Sequence, residues 1–305
     1  MLKKISLFLI LCLIPATPYA VEITPSDVYR EVHKIHDEIE IIKSHFDIKE
    51  DLQEGETLQV NTNIQPRHSW QKSYLVMVKV NVLRRNLKFP RIEEIGIEPL
   101  LNLDPRMMYG ITQRVLAELR IVKDFLGIKE VIGKAPRFEN KKPVDVFNYM
   151  HHISIEMDIL NGSQAIPSDT YSQTRRLFDD IDSILAHLEI NDKTIPPAKH
   201  MDATPIEEYR AVFELMEVIQ AIYKKIGLEI TDFSPFKMEK PEPSDVLNMV
   251  ALTIGELQPI KAFLGMENDV TPAAKYYKNK IRADVEQLVR WNTDRMKLIR
   301  DSGKF

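Results

Sequence analysis

Three histidines stand one helical turn from a carboxylate: His33 with Asp37, His36 with Glu40, and His152 with Glu156. Residues four apart share a helix face, and an imidazole–carboxylate pair is half of a divalent-metal site. A stable site needs three or four ligands; each helix here offers two. His33 and His151 hold the same place in two related segments, but the third related segment has Ala251 there. The pairs therefore read as solvated face residues, and no metal ligand is assigned.

An acid also recurs thirteen positions after a proline, at Glu38, Glu118, Glu156, Asp180 and Glu256, each followed by an apolar residue. The favoured reading is a rim position beside a core seam. The alternative is a set of carboxylates converging on one groove, able to hold a cation or a basic partner.

Other chemistry is sparse. The sequence has no Gly-rich phosphate loop, no G-x-S-x-G, no H-E-x-x-H, no EF-hand loop, no C-x-x-C and no E-x-x-H pair. The sole cysteine is Cys12, so thiol catalysis and c-type haem attachment are excluded once the N-terminus is removed. No catalytic residue is assigned, no cofactor is expected, and cofactor-binding residues stay unassigned. The basic stretch RRNLKFPR, with Arg84, Arg85, Lys88 and Arg91, falls at a predicted helix C-terminus, where cations complement the dipole. Trp70 and Trp291 are expected to pack, Trp291 with the alternative of an exposed contact.

These residues need elements to hold them. Only 10 glycines in 305 residues, beside 18 prolines, predict long helices punctuated by proline. A large apolar or aromatic residue follows a proline by four positions eight times: Pro25/Tyr29, Pro66/Trp70, Pro105/Tyr109, Pro143/Phe147, Pro167/Tyr171, Pro205/Tyr209, Pro243/Leu247 and Pro272/Tyr276. Each proline is read as the first residue of a helix, where its missing N–H costs nothing. Thr24, Asp104, Thr204 and Thr271 precede four of them as N-caps. Val28, Val32, Ile35, Ile39, Ile42 and Phe46 then form a heptad-like seam. The aromatic one turn in is expected to pack under its own incoming connector.

The fold class is therefore all-α, with about eight helices in internally repeated units, as a bundle or a solenoid-like stack. Pro105, Pro143 and Pro167 are matched by Pro205, Pro243 and Pro272 at offsets of 100, 100 and 105 residues. This suggests a signal segment over 1–20, a partial repeat over 21–100, and three-helix units over 101–200 and 201–305. Two links are read as short and antiparallel, NGSQAI and ENDV. The rest, including IEEIGIEPLL and ITDFSPFKM, are long enough to run a helix length and leave their flanking helices parallel.

Lys3 and Lys4 followed by ISLFLILCLIP form a secretory signal too short to span a bilayer. Cleavage is read after Ala16 or Ala20; Leu11 before Cys12 argues against lipidation. Losing the two lysines takes the net charge from -4 to -6, and no basic excess exists to release counterions from nucleic acid. No later apolar run is long enough for a membrane span. The expectation is an exported protein of the bacterial periplasm or medium, non-enzymatic, that binds a protein partner; self-association stays open. The alternative is a small-ligand or cofactor carrier with a pocket between helices.

Overall fold

A computed structural model describes residues 22–50, 52, 59–60, 63–92, 103–162 and 165–305. The signal segment, its cleavage sites and most of IEEIGIEPLL lie outside these. The fold is all-α: among the described residues there are eight α-helices and no strand. They are α1 (Pro25–His45), α2 (Pro66–Asn86), α3 (Pro105–Phe125), α4 (Pro143–Asn161), α5 (Pro167–His187), α6 (Pro205–Ile226), α7 (Pro243–Phe263) and α8 (Arg282–Asp301).

Seven helices open at the expected proline. In all of these but α3 the residue at the third helical position then bonds back to the N-cap amide, as Asp27 does to Thr24, Asp145 to Lys142, Glu207 to Thr204 and Asp245 to Glu242. The ends are just as uniform. A residue in the left-handed region follows each helix: Asp47, Lys88, Gly127, Gly162, Glu189, Gly227, Gly265 and Gly303. In six helices the next amide, from Ile48, Phe89, Ile128, Ile190, Leu228 or Met266, donates to the carbonyl five residues back. This is the Schellman closure, with an apolar residue beyond the cap.

The eighth helix corrects the sequence reading. Pro272 does not open it; α8 starts at Arg282, and a connector of residues 264–281 replaces the short ENDV link. Thr271 is fully buried, bonded to Asp180 and Gln258, while the carbonyl of Pro272 accepts from Arg176 Nε. These bonds fasten the segment to α5 and α7. Asp284 closes the start of α8 by accepting from the Ile281 amide.

With α8 in place, the packing groups the helices by fours. In the first set α1 touches α3 and α4, and α2 touches α3 and α4; in the second, α5 touches α7 and α8, and α6 touches α7 and α8. Equivalent helices start 142, 139, 138 and 139 residues apart. The connectors match as well. The Lys141 amide donates to Ser26 Oγ and the Lys280 amide to Ser168 Oγ; Asn81 reaches the Ile92 carbonyl and Gln220 the Thr231 carbonyl.

Within each set the helices run parallel. Pro25, Pro66, Pro105 and Pro143 line one apolar cavity of about 50 Å³ at a shared end. The described connector of residues 126–142 shows how, returning the chain along α1 through Phe138 on His33 and Tyr29. Parallel dipoles place like partial charges together; Asp27, Asp104 and Asp145 at the amino end, and Lys43, Arg84 and Lys123 at the carboxyl end, oppose that cost. The one short link, between α4 and α5, reverses the chain, so the second set runs antiparallel to the first. The sets meet where α2 crosses α7, with Leu247 and Ala251 entering the core of the first and Phe147 that of the second.

Candidate functional site

The histidine–carboxylate pairs draw near one another, with the His33 and His36 rings 6.5 Å apart, but among the described residues they form no group of three metal-ligating side chains. His33 Nδ1 lies 3.3 Å from Asp37, both part-exposed. His36 faces Asp37 at 3.9 Å and the His152 ring at 5.5 Å, while Glu40 instead accepts from Lys43 at 2.8 Å. His152 is 3.9 Å from Glu156, both buried rather than solvated.

The acids after the prolines neither line a rim nor converge. Glu38, Glu156, Asp180 and Glu256 are at most 2% exposed and Glu118 is half-buried, each in a separate seam. The partner is usually a cation eighteen residues after the start of a neighbouring helix. Lys43 reaches Glu156 at 2.5 Å, Arg84 reaches Glu118 at 2.6 Å, Lys123 reaches Glu38 at 2.5 Å and Lys261 reaches Asp180 at 2.7 Å. The two positions differ by five residues, about 7.5 Å of rise. Helical side chains tilt toward the N-terminus, so a long cation in a parallel neighbour bridges that offset. Burial works against the Lys43 charge, but the bonds to Glu156 and Glu40 outweigh it and raise its pKa.

Glu256 is the exception, because α7 uses it across the junction. It accepts from Arg67 Nη2 at 2.9 Å and meets His68 Nε2 at 2.6 Å. The Gln65 amide donates to His68 Nδ1, so Nδ1 is the acceptor and the neutral ring carries its proton on Nε2. Burial lowers the pKa of His68 accordingly, while burial of Glu256 is outweighed by its bonds to His68 and Arg67.

Further along the same seam Lys72 Nζ contacts His151 Nδ1 at 3.0 Å and Asn248 Oδ1 at 2.8 Å. Lys79 binds Asp158 at 2.6 Å and the Ser154 hydroxyl at 2.8 Å, and Ser154 reaches Asn248 at 3.3 Å. Burial pushes Lys72 down to about 7, and burial with the Lys72 charge pushes His151 well below its usual value. The proline and acid spacing gave no sign of this polar chain, because its members come from three helices distant in sequence.

The connectors cover aromatics that belong to other helices, not those they lead into. Phe138 and Lys141, on the way to α4, pack on Tyr29 of α1; Tyr277 and Lys280, on the way to α8, pack on Tyr171 of α5. Trp70 is buried against Tyr74, and Trp291 packs on Phe178 and donates to Thr194. The basic stretch is divided among partners: Arg84 to Glu118, Arg85 to Asp169, and Arg91 over the Tyr276 ring at 3.7 Å.

Two surface features bear on function. One is a groove of about 810 Å³ between the two sets, bounded by α2, the start of α5 and the connectors at Pro90–Ile92 and Pro272–Tyr276. The other is an apolar end of the first set. Phe46, Ile121 and Phe125 are 40%, 44% and 49% exposed, and Phe89 stacks on Phe125 at 4.3 Å. Among the described residues no helix is long and apolar enough to cross a membrane. The chain matches no family model, no curated protein and no solved structure.

Proposed function

We propose that the mature chain is an exported, non-enzymatic binding protein, built from a duplicated four-helix unit, that engages another protein through the apolar carboxyl end of its first unit. The observation that carries this reading is the exposure of Phe46, at the C-cap of α1, and of Ile121 and Phe125, in the last turns of the neighbouring helix α3. Aromatic residues left in water at one end cost hydration free energy that a partner would recover, and such patches mark interaction sites. Phe263, at the equivalent place in α7, is 51% exposed and offers the second unit a similar end.

Two features support the reading. Most buried charges are absorbed pairwise in helix seams, which fits a scaffold whose working surface lies outside its core. Export rests on Lys3, Lys4 and the apolar run after them, and a cysteine-free mature chain tolerates an oxidising compartment.

The test is capture on immobilised mature chain from periplasmic extract, compared among wild type, Phe125→Asp, Phe46→Asp and the connector control Val131→Asp. The expected result is one protein retained by wild type and Val131→Asp and lost from both phenylalanine variants. Equal retention by all four would overturn the assignment of this surface.

A further inference from the structure

We infer that the groove between the two units is a binding site for a small organic carboxylate with an apolar body, held by Arg91. This inference is independent of the apolar end proposed above.

The groove's size falls within the roughly 300–1,000 Å³ of small-molecule sites. Val78, Ala273 and Ala274 give it apolar wall, and Tyr276 lines it as the platform on which Arg91 stacks. Its charge is unequally satisfied. Asp169 already accepts two bonds from Arg85 Nη1, at 2.9 and 2.7 Å, and one from the Ile166 amide. Asn81 exchanges bonds with both backbone groups of Ile92, and Ser172 donates to the Ser168 carbonyl while accepting from the Tyr277 amide. Gln173 Oε1 accepts from Arg176.

Arg91 differs. Its guanidinium lies over the Tyr276 ring at 3.7 Å, and Nη1 is buried with no hydrogen-bond partner. A buried, unpaired cationic N–H is costly, and stacking on Tyr276 holds the planar fork where it cannot turn out to water freely. Lys275 adds a second positive charge at the exposed rim. The donors left open are therefore cationic, and what completes them is an anion. A carboxylate matches the guanidinium fork, while its apolar remainder takes the wall of Val78, Ala273 and Ala274.

The experiment is calorimetric titration of the mature chain with phenylbutyrate and with its neutral counterpart, phenylbutanol. Wild type is expected to bind phenylbutyrate saturably and phenylbutanol at least about tenfold more weakly, the worth of one charge-assisted hydrogen bond. Arg91→Gln is expected to lose at least that factor for phenylbutyrate. Ala274→Trp, which fills the groove and leaves the charge, is expected to lose binding as well. Arg137→Gln, an exposed charge elsewhere, and Phe125→Asp are expected to bind as wild type. Thermal unfolding establishes which variants fold, and the alcohol comparison stands whatever the variants do. No saturable phenylbutyrate binding, equal binding of the alcohol, or an Arg91→Gln protein that binds as tightly as wild type would each overturn the inference.

Discussion

The Lys72 ammonium donates to Nδ1 of His151 across 3.0 Å, and no carboxylate is among its hydrogen-bond partners. It is fully buried where α2 and α4 of one unit face α7 of the other. Lys79 opposes its charge from α2 itself, while Asp158 of α4 and Asp245 of α7 favour it from farther away. The junction thus contains a cation held mainly by neutral groups.

That arrangement has a pH signature. Unfolded, a lysine keeps its proton to about 10.5; folded, Lys72 releases it near 7. Between those values the unfolded chain binds more protons, so this group makes stability rise with pH from about 7 to about 10.5 and fall as pH drops back. Melting temperatures of wild type and Lys72→Met at pH 6.5 and 9.5 check this. Wild type is expected to gain on the variant at the higher pH; an unchanged difference would contradict it.

Glu208 runs the other way. It is 3% exposed, and burial, with the like charge of Glu286 and against Arg282, raises it to about 7 from 4.5. Its contribution is lost as pH rises from about 4.5 to 7, and the full penalty persists above that. Glu208→Gln is expected to be more stable than wild type in urea at pH 8, with the advantage gone at pH 4.

The pair Lys43–Glu156, 1% and 0% exposed, sets the register of α1 against α4. Removing one partner strands the other, so Glu156→Leu is expected to cost about 3–5 kcal/mol. Combining it with Lys43→Met should recover a substantial part of that loss. A double-mutant cycle in urea reads the coupling, and additive losses would mean that the pair does not act as a unit.

Gly255 lies where α7 packs tightly on α2: a Cβ there would meet Gln71 Cγ at 3.2 Å and the Arg67 carbonyl at 3.9 Å. Gly255→Leu has no room between α7 and α2. The expected effect is a loss of about 1–3 kcal/mol from overpacking, read as a lower urea midpoint. A variant as stable as wild type would mean that the two units can separate freely at this crossing.

Much of the architecture was legible in particular residues. Proline marks seven helix starts, three of them after Thr24, Asp104 or Thr204, because the missing N–H and fixed φ select that one position. The eighth was misread because Thr271–Pro272 imitates the same signal while its side chains serve a seam with α5. The better mark was RADV at 282–285, which keeps the acid and valine of PSDV and PVDV and puts arginine in place of proline. Placing the eighth helix ten residues early made a three-helix period of the spacing, where the packing groups helices by fours. The repeated KDFLG and KAFLG, at Lys123 and Lys261, also carry the four-helix spacing. The pairing of the acids was hidden because it needs the parallel register of helices far apart in sequence. The groove was hidden for the same reason, since Arg91 and Tyr276 meet only in three dimensions.

The central claim, that the chain works by binding another protein through the Phe46–Phe125 end, is tested most directly by native mass spectrometry of the mature protein isolated from its own source. The account predicts a defined complex with a second protein that is lost when Phe125 is replaced by aspartate. A bare monomer from wild-type cells, or a complex that survives Phe125→Asp unchanged, would contradict it.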